Sequence, residues 1–168
     1  MANEIITGAE ALMRALRAEE VNTIFGYPGG AIMPVFDSLY HYTRGENKCF
    51  NHILVRHEQA AAHAAQGYAR VSGNVGVCLV TSGPGATNTL TGVADAMMDS
   101  TPLVVIAGQV GVGALGSDAF QEVDLVGLAQ PITKWAYQIR RPEDVACCEP
   151  CVLYRTQWSP RSGSARFS

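Results

Sequence analysis

The sequence predicts an α/β domain: a doubly wound, mostly parallel sheet with helices on both faces. Short, largely apolar runs recur at residues 21–25, 53–55, 75–81 and 102–107. Segments with helical character separate these runs, and glycine-rich turns follow several of them. Apolar strands without alternation are typical of parallel sheets that helices cover on both faces.

The first elements follow from capping and turn signals. Thr7 and Glu10 fit a capping box, and the apolar positions behind them have helical spacing, which predicts a helix that ends near residue 19. A short strand follows at residues 21–25 and ends in the turn GYPGG, residues 26–30. A second helix is expected over about residues 31–40.

The remaining elements continue the alternation of strand and helix. A strand at residues 53–55 leads into an alanine-rich helix over residues 58–71. A continuous apolar strand over residues 75–81 stops at SGPG, and a helix over residues 86–99 precedes the last clear strand, PLVVIA, at residues 102–107. We therefore expect one sheet whose strands are all buried.

Composition excludes several classes of function. A chain of 168 residues with 48% hydrophobic and 16% charged residues can build one domain with a core. A net charge of −3 without a Lys/Arg cluster indicates neither a nucleic-acid nor an anionic-membrane partner. No apolar run approaches the roughly 18 residues of a membrane span, and the start MANE lacks the basic residues of a signal peptide. Small-molecule chemistry in the cytoplasm is the expectation.

Loops at the carboxyl ends of the strands are the expected ligand crevice. Three of them are chemically unusual: GYPGG at residues 26–30, RHE at 56–58 and TSGPGATN at 81–88. Glycine-rich turns allow a ligand to approach backbone amides, and a helix start offers unpaired N–H groups. The alternative is that these glycines only make tight turns. None of these three loops matches G-x-G-x-x-G, and no G-K-[ST] occurs in the sequence, which disfavours a nucleotide fold of those kinds.

Five segments resemble one family, in its order and at its spacing: FGYPGGAIMPVFDSL, RHEQAAAHAAQGYAR, TSGPGATNTLTGVADAMMDSTPLVVIAGQV, GSDAFQEVD and ITKWAYQI. They resemble the thiamine diphosphate enzymes and, among these, the catalytic large subunits of acetolactate synthase (acetohydroxyacid synthase). The resemblance covers about residues 4–146. It implies the N-terminal, pyrimidine-binding domain of the thiamine diphosphate-binding fold.

Glu58 is the residue to which the resemblance gives a catalytic role. The matching family glutamate hydrogen-bonds a ring nitrogen of the cofactor's aminopyrimidine and so promotes loss of the thiazolium C2 proton. A carboxyl group does this only where water is excluded, and the apolar strand before it and the alanines after it indicate a dry site. The alternative is an ordinary acidic residue that the helix dipole favours at a helix start.

The resemblance also implies further site residues, each with a structural alternative. Phe120 and Gln121 match residues on the substrate and cofactor side, although Phe120 could instead be a core aromatic. Lys134 matches a lysine near the substrate channel and flavin, or is a solvated lysine. The cofactor-lining set is Tyr27, Pro28, Gly29, Gly30, Glu58, Pro84 and Asn88. A buried turn tyrosine and a plain helix start are the alternatives for that set.

The implied reaction is decarboxylation of pyruvate on thiamine diphosphate, followed by ligation to pyruvate or 2-oxobutyrate in the synthesis of valine, leucine and isoleucine. Mg²⁺ is implied through a C-terminal domain and FAD through a central domain, with no metal site in residues 1–146. A homo-oligomer, dimeric or tetrameric, and a small regulatory subunit are the implied partners. The alternatives are another thiamine diphosphate carboligase or a pyruvate oxidase, or a non-catalytic, partner-binding pseudo-domain.

The resemblance stops near residue 146, where the family continues towards a closing strand like GRPGPVVLD. Here the chain reads CCEPCVLY, and Cys148-x-x-Cys151, beside Cys147, is a weak metal or redox signal on its own. Back-translation with allowed codons and a one-base shift yields VASRVFYIAHSGRPGPVVLDF. We therefore expect a frameshift near residues 145–147, an aberrant and disordered tail over 147–168, an incomplete and inactive domain, and an exposed sheet edge.

Overall fold

A computed structural model describes residues 5–148, with side chains through residue 145. The described residues form a four-stranded sheet in the order β2-β1-β3-β4, and every strand pairing is parallel. The α/β fold class is confirmed. The strands are β1 Thr23–Gly26, β2 Asn51–Leu54, β3 Gly76–Val80 and β4 Leu103–Ala107.

Helices connect the strands and lie on both faces of the sheet. They are α1 Gly8–Ala18, α2 Met33–Tyr42, α3 Glu58–Ser72, α4 Pro84–Thr87, α5 Leu90–Met98 and α6 Leu125–Ala129. Short 3₁₀ helices occupy Gly30–Ile32, Val112–Ala114, Gln130–Ile132 and Pro142–Cys148. The boundary signals predict α1 and α3 well. Thr7 accepts the Glu10 N–H at 3.1 Å, and Gly73 ends α3 at a φ of 77°.

Alternate residues of the two central strands enter two separate cores, as the pleat of a strand requires. One core lies between the sheet and helices α1 and α2, and the other between the sheet and helices α3 and α5. The first contains Met13, Leu16, Ile24, Leu39, Val77 and Leu79; the second contains Phe25, Ala61, Ala65, Cys78, Val80 and Ala96.

The strand order creates a switch point between β1 and β3. From β1, the chain first returns to the β2 side and then crosses to the β3 side. The loops that leave β1 and β3 therefore diverge to opposite faces and leave a crevice at their carboxyl ends, where open α/β sheets bind ligands.

The expectation that all strands are buried is correct for β1 and β3, correct only at Leu103 for β4, and wrong for β2. Strand β2 is an edge strand, and Ile53 is 45% and Leu54 63% exposed. An apolar run indicates a strand that tends to be buried, but it does not show whether the residues that bury it belong to the same part of the chain. The apolar strand that precedes Glu58 is therefore exposed to solvent in the part of the chain that the structure describes.

The predicted helix over residues 86–99 is divided into two helices, because Thr89 bonds to the carbonyl three residues before it and not four. The Thr89 N–H donates to the Ala86 carbonyl at 3.0 Å, and the Thr89 hydroxyl donates to the same carbonyl at 2.7 Å. Such a local hydrogen bond competes with the regular helical pattern. The break leaves Asn88 between α4 and α5.

The predicted tail, with Cys147, Cys148 and Cys151, lies outside the residues whose side chains the structure describes. Among residues 5–148, no helix is both long and apolar enough to cross a membrane.

Candidate functional site

The three unusual loops meet at the carboxyl edge of the sheet. The Tyr27 N–H donates to the Leu79 carbonyl and the Val55 N–H to the Gly26 carbonyl, both at 3.1 Å. These bonds extend the pairing of β1 with its two neighbours past the ends of the strands. The backbones of the loops are therefore fixed relative to one another by the sheet itself.

Glu58 and Asn88 form the polar centre of this crevice. Glu58 is the first residue of α3, and the His57 side chain caps the helix by accepting the Gln59 N–H at 3.2 Å. The Asn88 Nδ2 atom donates to Glu58 Oε2 at 3.0 Å. The other carboxylate oxygen, Oε1, lies 3.4 Å from where a Cβ on Gly85 would stand. Glu58 is half-buried. One carboxylate oxygen accepts a hydrogen bond from Asn88, and the other lies next to Gly85.

Thr81 lies under the glycines of two loops. A Cβ on Gly29 would stand 2.7 Å from Thr81 Oγ1, and a Cβ on Gly85 would stand 2.6 Å from Thr81 Cγ2. Thr81 is 8% exposed, and its Oγ1 has no hydrogen-bond partner among the described residues. Buried hydroxyl groups nearly always have a partner, so this atom marks a place where one is needed.

A turn after β4 closes one side of the crevice. A Cβ on Gly83 would stand 2.6 Å from the Gln121 carbonyl oxygen, so the Gln121 backbone rests on Gly83. The φ angles of Gly83 and Gln121 are 56° and 60°. Gln121 therefore joins the site, whereas Phe120 beside it is 87% exposed and is not a core aromatic of the described chain.

The remaining cofactor-lining candidates are more exposed. Tyr27 is 39% exposed, which argues against a buried turn tyrosine, and Pro28, Gly30 and Pro84 are exposed. These four residues border solvent at the mouth of the crevice and do not pack into the core.

Lys134 lies elsewhere, at a cleft of about 710 Å³ along the outer side of β4. The cleft lies between β4, α5, α6 and residues 132–137, and its walls are mainly apolar. The rings of Trp135 and Tyr137, which also line it, stack at 5.5 Å. Thr89 lines one end and is the chain neighbour of Asn88, but Glu58 is not a lining residue. The polar pair of the crevice and the β4 cleft are therefore separate among the described residues.

Cys78 lies on β3 in the core beneath α3. Burial, with a smaller contribution from the Glu58 charge, raises the pKa of this thiol to about 12. Since the thiolate is the reactive form, Cys78 is a core residue and not a nucleophile. Among the described residues, no group of three or more His, Cys, Asp or Glu side chains could hold a metal ion.

The sequence prediction singled out neither Thr81 and Gly85, which lie in the site, nor Glu122, which binds the turn beside it. Thr81 and Gly85 stand in a motif that had been identified, and the signal was a hydroxyl at the end of an apolar strand next to glycines. Glu122 accepts the Gly116 N–H and the Ala119 N–H, the latter at 3.0 Å, and these bonds lower the pKa of its carboxyl. Its position in GSDAFQEVD gave no such signal.

Residues 6–128 match the family described as thiamine pyrophosphate enzyme, N-terminal TPP binding domain. Longer relatives match with high identity. The acetolactate synthase large subunit of Cyanidium caldarium is 55% identical over 142 residues, which are 84% of this chain and 24% of the relative. The probable acetolactate synthase large subunit of Methanocaldococcus jannaschii is 56% identical over 138 residues, or 82% of this chain and 22% of the relative.

A third relative, the acetolactate synthase isozyme 3 large subunit of Escherichia coli, is 49% identical over 160 residues, or 95% of this chain and 26% of the relative. The chain thus spans about a quarter of the length of the curated relatives that it matches. The matched part is the domain that contains the crevice.

Proposed function

Because the chain belongs to the thiamine pyrophosphate enzymes through their N-terminal TPP binding domain, we propose that it forms the pyrimidine-binding part of an acetolactate synthase. The observation that carries this proposal is the Glu58–Asn88 pair at the centre of the glycine-lined crevice, with 3.0 Å between Oε2 and Nδ2. The names of the relatives support the choice of acetolactate synthase over other enzymes of the family.

The residues of the crevice fit the aminopyrimidine of thiamine diphosphate. A flat heteroaromatic ring needs a surface that it can approach closely and a few polar partners; Gly29 and Gly85, which pack against Thr81, keep the two loops free of side chains there. Glu58 Oε1 can share a proton with a ring nitrogen, while the buried Thr81 hydroxyl lacks a partner among the described residues. This donor and acceptor set supports a nitrogen heterocycle over a phosphate.

Bound thiamine diphosphate would supply an electron sink for cleavage of the bond between a carboxylate and a carbonyl carbon. The role of this chain is to control one proton. Asn88 fixes Glu58 Oε2 with its amide, which leaves Oε1 to hold the proton that it shares with the ring. A fixed carboxyl group at hydrogen-bond distance is the geometric condition for general acid–base catalysis.

Water must be kept from Glu58, and the described residues do this on one side only. Ile53, Leu54 and Phe120 are exposed apolar residues of the segments that border the crevice. We assign their cover to another part of the assembled enzyme, in keeping with a homo-oligomer. The proposed enzyme also takes Mg²⁺ and FAD outside this domain, associates with a small regulatory subunit, and acts in the cytoplasm.

The proposed substrates are pyruvate, which is decarboxylated, and pyruvate or 2-oxobutyrate as the acceptor. Gln121 is the better supported substrate-side residue, because its backbone rests on Gly83 at the edge of the crevice. Phe120 and Lys134 keep their proposed roles at the substrate side. For Lys134, this requires that the β4 cleft face the substrate path in the assembled enzyme.

A binding experiment tests the central step. Thiamine and thiamine diphosphate are titrated into the ¹⁵N-labelled 168-residue chain, with variants Glu58→Gln and Glu46→Gln, and amide spectra are recorded. We expect both ligands to shift the resonances of Gly29, Gly85 and the Asn88 side chain. Glu58→Gln should weaken this response at least about tenfold. Glu46→Gln, which changes an exposed carboxylate outside the crevice, should respond like the parent chain. Equal responses in both variants would refute the role of Glu58.

A further inference from the structure

The turn over residues 116–122 holds an unusual backbone. Asp118 and Gln121 have φ angles of 54° and 60°, and Gly116 has 78°. Residues other than glycine leave the left-handed region readily unless their surroundings hold them there. The contacts of this turn therefore decide where Gln121 lies.

The Glu122 carboxylate binds the turn at two points. Oε1 accepts the Gly116 N–H, and Oε2 accepts the Ala119 N–H at 3.0 Å. The Glu122 N–H in turn donates to the Ala119 carbonyl at 2.9 Å. Hydrogen bonds from N–H groups to a charged carboxylate are shorter and stronger than neutral ones. One side chain thus ties together both ends of the segment from Gly116 to Ala119.

The far side of the turn is anchored separately to the end of β4. The Gln109 Nε2 atom donates to the Val123 carbonyl at 3.0 Å, and Gln109 Oε1 accepts the Val110 N–H at 2.8 Å. Gln109 therefore fixes the backbone directly after Glu122 and not residues 116–121. Within the turn, the Glu122 carboxylate holds two backbone N–H groups that precede Gln121, those of Gly116 and Ala119.

Gln121 transmits this position to the crevice. Its carbonyl oxygen would stand 2.6 Å from a Cβ on Gly83, so the two backbones are in close contact. The Gly83 carbonyl accepts the Thr87 N–H at 2.9 Å in the first turn of α4. Asn88 follows α4 directly and donates to Glu58. We propose that Glu122 is a positioning residue: its carboxylate sets Gln121 against Gly83 and, through α4, the Asn88 amide against Glu58.

The competing explanation is a solvated glutamate that stabilises its own turn and nothing beyond it. The two explanations differ in what Asn88 does when Glu122 is changed. Only the link from Glu122 to catalysis rests on the proposed function, because the chain of contacts to Asn88 involves no cofactor.

Amide NMR of the 168-residue chain separates the explanations without any ligand. In the unmodified chain, the Gly116 and Ala119 amides should titrate together with one midpoint below about pH 4.3, the ordinary value for glutamate. In Glu122→Ala, the solvent exchange of these two amides should be at least about tenfold faster. The backbone amide resonances of Gln121 and Gly83 and the side-chain amide resonances of Asn88 should all shift. Glu122→Gln keeps one acceptor oxygen and should give an intermediate response. Glu46→Gln should change none of these signals.

Unchanged Gly83 and Asn88 resonances in a folded Glu122→Ala chain would overturn the proposal. So would separate titration midpoints for the Gly116 and Ala119 amides in the unmodified chain, a result that needs no variant to fold. The thiamine titration with Glu58→Gln tests the proposed function alone. The proposed function and the positioning role of Glu122 can therefore be refuted independently, by different spectra.

Discussion

Gly29 lies so close to Thr81 that no side chain fits between them. A Cβ on Gly29 would stand 2.5 Å from Thr81 Cβ, which is far inside van der Waals contact. Gly29 has a φ of −167°, an extended conformation that any residue adopts, so lack of space and not backbone geometry requires the glycine. The loop after β1 and the end of β3 are packed against each other through this pair.

The first prediction compares Gly29→Ala with Gly30→Ala. The Gly29 variant must push Thr81 or the loop away and should lose about 1–3 kcal/mol of unfolding free energy. A Cβ on Gly30 meets no described atom within 4 Å, so that variant should stay within about 0.5 kcal/mol of the parent. Urea unfolding followed by circular dichroism measures both, and equal midpoints would contradict the close contact.

Two glycines in helices should respond in opposite directions to alanine. A Cβ on Gly92 of α5 would stand 2.7 Å from Ala62 Cβ on α3, so Gly92→Ala should destabilise the domain by about 1–3 kcal/mol. Gly67, on the open side of α3, has no described atom within 4 Å of such a Cβ. Gly67→Ala should therefore stabilise by about 0.5–1 kcal/mol through helix propensity. Thermal denaturation measures both variants. Unfolding midpoints of Gly92→Ala and Gly67→Ala that shift in the same direction relative to the parent would contradict the prediction.

His52 should make stability depend on pH in the acidic range. Its Nε2 is buried without a partner among the described residues, its ring packs edge-on against Phe36 at 5.3 Å, and burial lowers its pKa. The unfolded state has an ordinary histidine pKa of about 6.5 and binds a proton that the folded state resists. The contribution of His52 is therefore complete above about pH 6.5 and is lost as pH falls from there towards its folded pKa.

The test of His52 compares unfolding free energies at about pH 7.5 and about pH 5.5, on either side of the ordinary histidine pKa, in three chains. His52→Phe should lose part of the acid sensitivity of the parent chain. His41→Gln, at an exposed position on α2, should keep all of it. An acid sensitivity that His52→Phe leaves unchanged would assign the effect to other groups.

Cys78 should resist alkylation in the folded chain. Burial and the nearby Glu58 charge raise its pKa to about 12, so almost no thiolate exists at about pH 8. Cys49 is only partly buried, and although burial raises its pKa too, its sulfur is closer to solvent. Iodoacetamide labelling with peptide mass spectrometry should modify Cys49 in the folded chain and Cys78 only after denaturation. Labelling of both at one rate in the folded chain would be the contrary result.

The sequence was sufficient for the order and type of the main elements, because apolar runs, helix caps and glycine turns are local signals. It also predicted that the loops after β1, β2 and β3 meet, which follows from parallel pairing alone. Glu58 and Asn88 are both predicted site residues, but their mutual hydrogen bond joins two segments that meet only after folding, and the helix break at Thr89 beside Asn88 is not predicted.

Other features could not be inferred because they depend on packing between distant segments. The exposure of Ile53 and Leu54 reflects the place of β2 at the sheet edge, and an apolar run does not specify a strand's neighbours. The Thr81 hydroxyl and the Glu122 carboxylate act through residues that lie close only after folding. Lys134 was grouped with the site by resemblance, but the described chain puts it at a separate cleft.

The central place of β1 in the sheet has a consequence during synthesis. β1 leaves the ribosome first, but its partners on either side are encoded at residues 51–54 and 76–80. About 50 further residues must be translated before its second edge is paired, roughly 3–10 s at ordinary elongation rates. During that interval, a strand that is fully buried in the folded domain has unpaired backbone N–H and C=O groups on one edge. The nascent chain is therefore open to pairing with other chains before the crevice has formed.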